Sequence, residues 1–172
     1  MKKFLLTFLI LVGSIVLIAC QTGGGEDDKF KQDPEQVIQE AMKNKEFLIL
    51  VVESADCRYC TKLNKEVLND PDVKMHMKQN RVKVAIINAY GNRKITDPAT
   101  KEQIEEESFA IAYRVQGFPT IIVFDPKDNY KMLYYINGYI GKEDFIGLLK
   151  YLGSGCYEKI EYKEFVKRGM KC

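Results

Sequence analysis

The 172-residue sequence has one histidine, His76, and that scarcity removes several chemistries at once. A hydrolase built on a Cys-His pair would need His76 beside its nucleophile, and the order of elements read below does not put it there. Copper delivery would rest on Met75-His76-Met77, a triplet that reads as surface and core positions of a polar helix or loop. Among the cysteines, Cys57 and Cys60 are close-spaced, but the second close pair usual in zinc ribbons is missing, so no metal is expected. Gly23-Gly24-Gly25 lacks the Lys-Ser/Thr of a phosphate loop, which sets a nucleotide role aside. The apolar stretch Phe4 to Ala19 spans 16 residues, short for a membrane span. There is no internal repeat.

What is present suits one packed domain, with 46% hydrophobic and 11% aromatic residues. Lys2 and Lys3 precede the apolar stretch, the pattern of an export address. The stretch ends in Leu17-Ile18-Ala19-Cys20, which resembles the lipobox of bacterial lipoprotein signal peptides. That resemblance implies that residues 1–19 are removed and that Cys20 is acylated, anchoring the chain to a membrane. An ordinary signal peptide, or a short anchor helix with an incidental cysteine, is the alternative. Losing residues 1–19 removes two lysines and leaves 24 basic against 24 acidic residues. The formal charge of +2 therefore belongs to the leader, and no nucleic-acid partner is expected. Residues 20–33, polar and glycine-rich, read as a flexible tether with a random-coil reach of about 20 Å. With Cys20 lipidated, four cysteines remain, an even number in a compartment where disulfides persist.

Beyond the tether, apolar periods alternate. Asp33-Pro34-Glu35-Gln36 carries an N-cap and a first-turn proline, with Val37, Ile38, Ala41 and Met42 on one face of the helix that follows. Phe47 to Val52 is a continuous apolar run, the pattern of a strand buried on both faces. The spacing of Leu63, Val67 and Leu68 predicts a helix from Cys57 to near Asp70-Pro71. Val82 to Ala89 predicts a second strand, and Lys101 to Val115 a crossover helix with Ile104, Ile111, Ala112 and Val115 inward. Thr120 to Phe124 and Tyr130 to Ile136, joined by a turn-forming Asp125 to Asn129, predict an antiparallel hairpin. Phe145 to Leu152 closes the unit with a helix ended by Gly153. The fold class is α/β, a central mixed sheet flanked by helices, because parallel strands need crossover helices.

This order gives the close cysteines a position. Cys57 and Cys60 fall at the end of the first strand and in the first turn of the next helix, where open α/β sheets place their chemistry. Unpaired backbone amides and the helix dipole favour a thiolate there, so Cys57 is expected to attack. Cys60, on the same face one turn inward, is expected to resolve the resulting mixed disulfide.

Over residues 34–152 the chain resembles the thioredoxin superfamily. The residues that carry the resemblance are Cys57-Arg58-Tyr59-Cys60, Gly117-Phe118-Pro119-Thr120 and Asn137-Gly138-Tyr139. The resemblance implies a cis Pro119 beside the redox pair and a substrate groove shaped by Arg58, Tyr59, Phe118 and Pro119, with Phe118 offering backbone groups. It also brings departures. Thioredoxins carry a buried acid six positions before the first cysteine, where this chain has Val51. Glu53 stands where they have Trp, and it is the candidate proton acceptor for Cys60, beside water or another group. Arg58-Tyr59 replaces Gly-Pro, and a Tyr before the second cysteine is similar to periplasmic disulfide isomerases, to glutaredoxins and to thioredoxin-like proteins of sulfur oxidation. The connection Tyr90 to Thr100 is longer than in a minimal thioredoxin and reads as a surface excursion near the site.

Residues 153–172 form a tail in which Ile160, Phe165 and Val166 suit one short amphipathic helix. A Cys156–Cys172 disulfide would pin it, worth roughly 3 kcal/mol on the chain-entropy view. A second exchanging pair or free thiols are the alternatives. The expectation is an exported, lipid-anchored, monomeric thiol-disulfide oxidoreductase that needs no cofactor. It would reduce protein or small-molecule disulfides with electrons from a membrane-bound donor. An oxidase, an isomerase and a non-catalytic binding lipoprotein are the alternatives, the isomerase weakened because only a tether and one helix separate Cys20 from the first strand.

Overall fold

A computed structural model describes residues 27–172. The expected leader, Cys20 and most of the expected tether lie outside the described residues. A 3₁₀ turn, Asp27–Phe30, leads into helix α1, Pro34–Asn44. Asp33 caps α1 by accepting from the Glu35 N–H at 3.0 Å, and the helix ends where Lys45 turns left-handed at φ 52°. Val37, Ile38 and Ala41 face inward, as their spacing predicts.

Strand β1, Phe47–Glu53, is buried at every residue. That follows from its place in the four-stranded sheet, whose order is β2-β1-β5-β6 with β2 at Val82–Asn88, β5 at Thr120–Asp125 and β6 at Lys131–Asn137. β2 runs parallel to β1, while β5 and β6 continue antiparallel. The pleat sends alternate β1 side chains to opposite layers. Leu48, Leu50 and Val52 pack with α1 and with Phe109 and Phe124, whereas Ile49 and Val51 pack with Leu63, Val67, Phe145 and Leu149. Each fully buried large aliphatic contributes roughly 1.5–3 kcal/mol, so the two layers hold β1 as the fixed axis of the molecule. This is the α/β arrangement of a thioredoxin fold, in agreement with the sequence.

After Cys57 the chain departs from the continuous helix expected. Helix α2, Arg58–Leu63, runs into a π turn, Asn64–Leu68, in which the Asn69 N–H reaches the Asn64 carbonyl at 2.9 Å. The helical run does stop before Asp70, whose backbone is extended at φ −66° and ψ 132°, as the sequence predicts, but a second helix follows at once. Asp70 accepts from the Asp72 and Val73 N–H groups and starts helix α3, Pro71–Gln79, because a proline at the first helical position needs no donor. Met75-His76-Met77 lies on α3.

The Tyr90 to Thr100 connection is not a surface excursion. It contains strand β3, Lys94–Thr96, paired with strand β4, Gln103–Glu105, and it buries Ile95, Thr96 and Asp97. Glu35 of α1 pins the hairpin, accepting from the Thr96 N–H at 2.6 Å, from its hydroxyl and from Gln103. The expected Lys101 to Val115 helix is thereby shortened to α4, Glu106–Ala112. Its inward residues are Glu106, Phe109 and Ala110, while Ile111, expected inside, is 71% exposed and Ala112 also faces out.

Helix α5, Lys142–Gly153, covers the layer that contains Val51. The tail then forms helix α6, Tyr162–Lys167, preceded by Ile160. Phe165 is buried against Tyr151, with ring centroids 5.0 Å apart, but Val166 points outward. A disulfide joins Cys156 to Cys172, and the Tyr151 hydroxyl donates to the Ile160 carbonyl. Among the described residues, no helix is long and apolar enough to cross a membrane.

Candidate active site

β1 delivers the chain through Ser54, Ala55 and Asp56 to Cys57, which is the N-cap of α2. Cys57 Sγ accepts from the Cys60 N–H at 3.0 Å, and the Cys57 carbonyl accepts from the Thr61 N–H at 3.0 Å. Cys57 and Cys60 are joined by a disulfide with Cα atoms 5.2 Å apart. The two sulfurs are not equivalent in access: Cys57 is partly exposed, and Cys60 is fully buried. An incoming group can meet Cys57 but must displace structure to meet Cys60. Arg58 and Tyr59 between them are exposed, Tyr59 by 61%.

The Phe118-Pro119 segment arrives at the same end of the sheet. Thr120 pairs with Val52, so the residues before it leave the sheet alongside the end of β1. The Phe118–Pro119 peptide is cis. The Pro119 carbonyl accepts from the Gly138 N–H at 2.8 Å, and the Thr120 hydroxyl donates to the Gly117 carbonyl at 2.7 Å, which ties the segment to the end of β6. The Phe118 ring meets Tyr90 edge to face at 6.0 Å, and Tyr90 is 70% exposed. Tyr90 was not singled out in the sequence. It follows β2 directly, and only the topology brings it to Phe118.

Glu53 ends β1 and is fully buried. Asn64, from the π turn, donates its side-chain amide to both Glu53 carboxylate oxygens at 2.8 and 3.0 Å and to the Cys60 carbonyl at 2.9 Å. One amide thus links the carboxylate to the turn that holds Cys60. Burial pushes the Glu53 carboxyl up to about 7, against the opposing pull of Lys29 and the Asn64 hydrogen bonds. It can therefore take or give a proton near neutral pH. Val51 and Glu53 are one pleat repeat apart on β1 and share a face, which places a buried carboxylate two residues beyond the valine.

Two cations enter from the N-terminal stretch or bind it, and neither was singled out in the sequence. Lys29 donates to the Ser54 and Ala55 carbonyls at 2.8 and 3.0 Å and lies 3.8 Å from Glu53. Arg93 donates to the Phe30 and Gln32 carbonyls, each at 2.9 Å, and forks onto Glu106 at 2.6 and 2.9 Å. Asn64 had a readable signal, lying four residues after Cys60 and so on its face of a helix. Lys29 and Arg93 had none, since their contacts join segments far apart in sequence. Among the described residues, no group of three or more His, Cys, Asp or Glu is placed to hold a metal ion.

Comparison with known proteins accords with this geometry. The sequence profile of the thioredoxin-like domain family matches residues 34–153. No curated protein sequence matches the chain. Among solved structures, a thioredoxin-fold protein from Helicobacter pylori is 25% identical, with a TM-score of 0.57 over 74% of this chain and 81% of that one. A thioredoxin from Thermus thermophilus is 23% identical, with a TM-score of 0.54 over 70% of this chain and 86% of that one. An oxidoreductase named DsbH shares the fold at 16% identity, with a TM-score of 0.51 over 72% of this chain and 83% of that one. A redox fold carrying a C-x-x-C disulfide matches the general activity of a thiol-disulfide oxidoreductase, and the chain belongs to the thioredoxin-like family.

Proposed function

We propose that this chain is a lipid-anchored, extracytoplasmic reductase of disulfides in exported proteins or small molecules. The observation that carries the redox assignment is the unequal access of the two sulfurs, Cys57 partly exposed at the start of α2 and Cys60 buried behind it. In the reduced protein, the Cys57 thiolate attacks a substrate disulfide, forming a mixed disulfide and releasing one substrate thiolate. Cys60 then gives its proton to Glu53 and attacks Cys57 Sγ. The Cys57–Cys60 disulfide forms, and the second substrate sulfur leaves with the pair of electrons, taking up the proton. A dithiol of a membrane partner returns two electrons for the next cycle. Arg58, Tyr59, Phe118 and Pro119 form the substrate groove, and the exposed Tyr90 ring beside Phe118 extends its apolar rim. Cys156 and Cys172 have the structural part, holding the tail on Tyr151.

Export and anchoring rest on the Leu17-Ile18-Ala19-Cys20 sequence. Mass spectrometry of the mature N-terminus checks them: a diacylglycerol on Cys20 is expected, and an unmodified residue there overturns the anchor. The direction of electron flow is tested by equilibrating the Cys57–Cys60 pair with a thiol buffer. A reduction potential near −270 mV, roughly that of thioredoxin, is expected, and one near −120 mV, roughly that of a strong oxidant, overturns the reductase assignment. In insulin reduction, Cys57→Ser is expected to be inactive and Cys60→Ser to accumulate the mixed disulfide.

A further inference from the structure

The stretch that leads into α1 buries a charge at the redox end of the sheet. The Lys29 side chain is 7% exposed, its ammonium held by the Ser54 and Ala55 carbonyls and set 3.8 Å from Glu53. Those carbonyls belong to the short loop between β1 and Cys57. A few residues along the same stretch, Arg93 takes the Phe30 and Gln32 carbonyls. A lysine gives up its hydration only where partners replace it, and a segment serving merely as a spacer has no reason to bury one. The two clamps therefore fix this stretch against the loop that aims Cys57.

We propose that Lys29 is a positioning residue of the redox site, holding the Ser54–Ala55 loop and favouring the ionised Glu53 carboxylate that accepts the Cys60 proton. The proposal rests on the role given to Glu53 above and adds to it a residue from outside the α/β unit. The groups that face Glu53 are Lys29 from the N-terminal turn, the neutral Asn64 amide from the π turn and Asn88 across the ladder in β2. The Cys57–Cys60 pair stands on α2 behind Asn64. Lys65, Lys74 and Lys83 line a cleft of about 720 Å³ that Lys29 and Asn64 border. Among the described residues, Lys29 is thus the cation shown in salt-bridge range of Glu53, and its removal makes the carboxylate easier to protonate.

The test follows the decay of the mixed disulfide between the reduced full-length protein and oxidised glutathione, by acid quench and mass spectrometry across pH 5–9. In the unmodified protein the resolving rate is expected to rise through a midpoint near neutrality. Lys29→Met should move that midpoint up by about one pH unit or more, and Lys29→Arg should return it. Should Lys29→Met fail to fold, Lys29→Gln keeps a donor for the two carbonyls without the charge and is expected to give the same shift. Midpoints of the Met or Gln variant that coincide with the unmodified protein overturn the role of Lys29, provided Glu53→Gln abolishes the inflection. An inflection that survives Glu53→Gln overturns the Glu53 reading itself.

Discussion

Glu53 and Glu106 are both fully buried at the end of the sheet that carries Cys57, and each meets a cation that belongs to the N-terminal stretch, Lys29, or binds it, Arg93. They differ in the fit of that cation. Arg93 approaches Glu106 as a planar fork, 2.6 and 2.9 Å from its two oxygens, and the Asn88 N–H adds a third donor at 2.9 Å. Glu53 has a neutral amide on both oxygens and a lysine no nearer than 3.8 Å. A guanidinium supplies two parallel charge-assisted bonds in a fixed geometry, whereas a distant point charge leaves much of the desolvation penalty standing. The same side chain is thus geometrically clamped at one position and more loosely held at the other.

The largest effect should come from breaking the clamp. Arg93→Ala leaves Glu106 buried without its ion partner and frees the Phe30 and Gln32 carbonyls, and a loss of about 3–5 kcal/mol is expected in urea unfolding. An effect below 1 kcal/mol would mean that Glu106 gains no stability from the fork. The titratable carboxylate should show itself next, through pH. Its folded value of about 7 lies above the ordinary 4.5, so between those limits the unfolded chain has lost a proton that the folded protein keeps. Stability should then fall as pH rises through that window, by up to about 3 kcal/mol relative to Glu53→Gln. Parallel profiles for the two proteins would remove Glu53 from this role. The smallest effect tests the space around the clamp. A Cβ at Gly91 would stand 2.3 Å from Glu106 Oε2, while one at Gly117 would meet nothing within 4 Å. Gly91→Ala should cost about 1–3 kcal/mol and Gly117→Ala much less, and equal losses would count against a rigid Glu106.

The legible parts of the molecule were those in which one local pattern decides the outcome. β1 announced itself as a continuous apolar run, and Asp33-Pro34 as a helix start. That Val51 and Glu53 share a face was also readable, because they are two residues apart in a strand. Where partners distant in sequence decide, local pattern misled. Ile104 looked like a helical position, yet β4 forms because β3 is there to pair with it and Glu35 of α1 takes the Thr96 backbone. Ile111 then faces out because α4 starts at Glu106 and takes its phase from Phe109 and Ala110. The helix does stop before Asp70-Pro71, and what the local pattern left out was that Asp70 and a first-turn proline also start the next helix. At the site, the cysteine pair and Phe118-Pro119 could be named from the sequence. Lys29, Arg93 and Tyr90 could not, since no spacing relates them to Cys57.

The π turn at Asn64–Leu68 carries a consequence for the length of the chain. Each residue of an α-helix rotates the following side chains by about 100°. Asn64 keeps the α phase set by Cys60, four residues before it, and the wide turn that follows absorbs one residue more than an α turn would on the way to the buried Val67 and Leu68. A chain one residue shorter here would leave Asn64 on the carboxylate and rotate the residues after it by about 100° relative to the core. The number of residues after Asn64 therefore sets the phase in which Val67, Leu68 and the start of α3 meet the core, while the spacing from Cys60 to Asn64 alone sets the contact with Glu53.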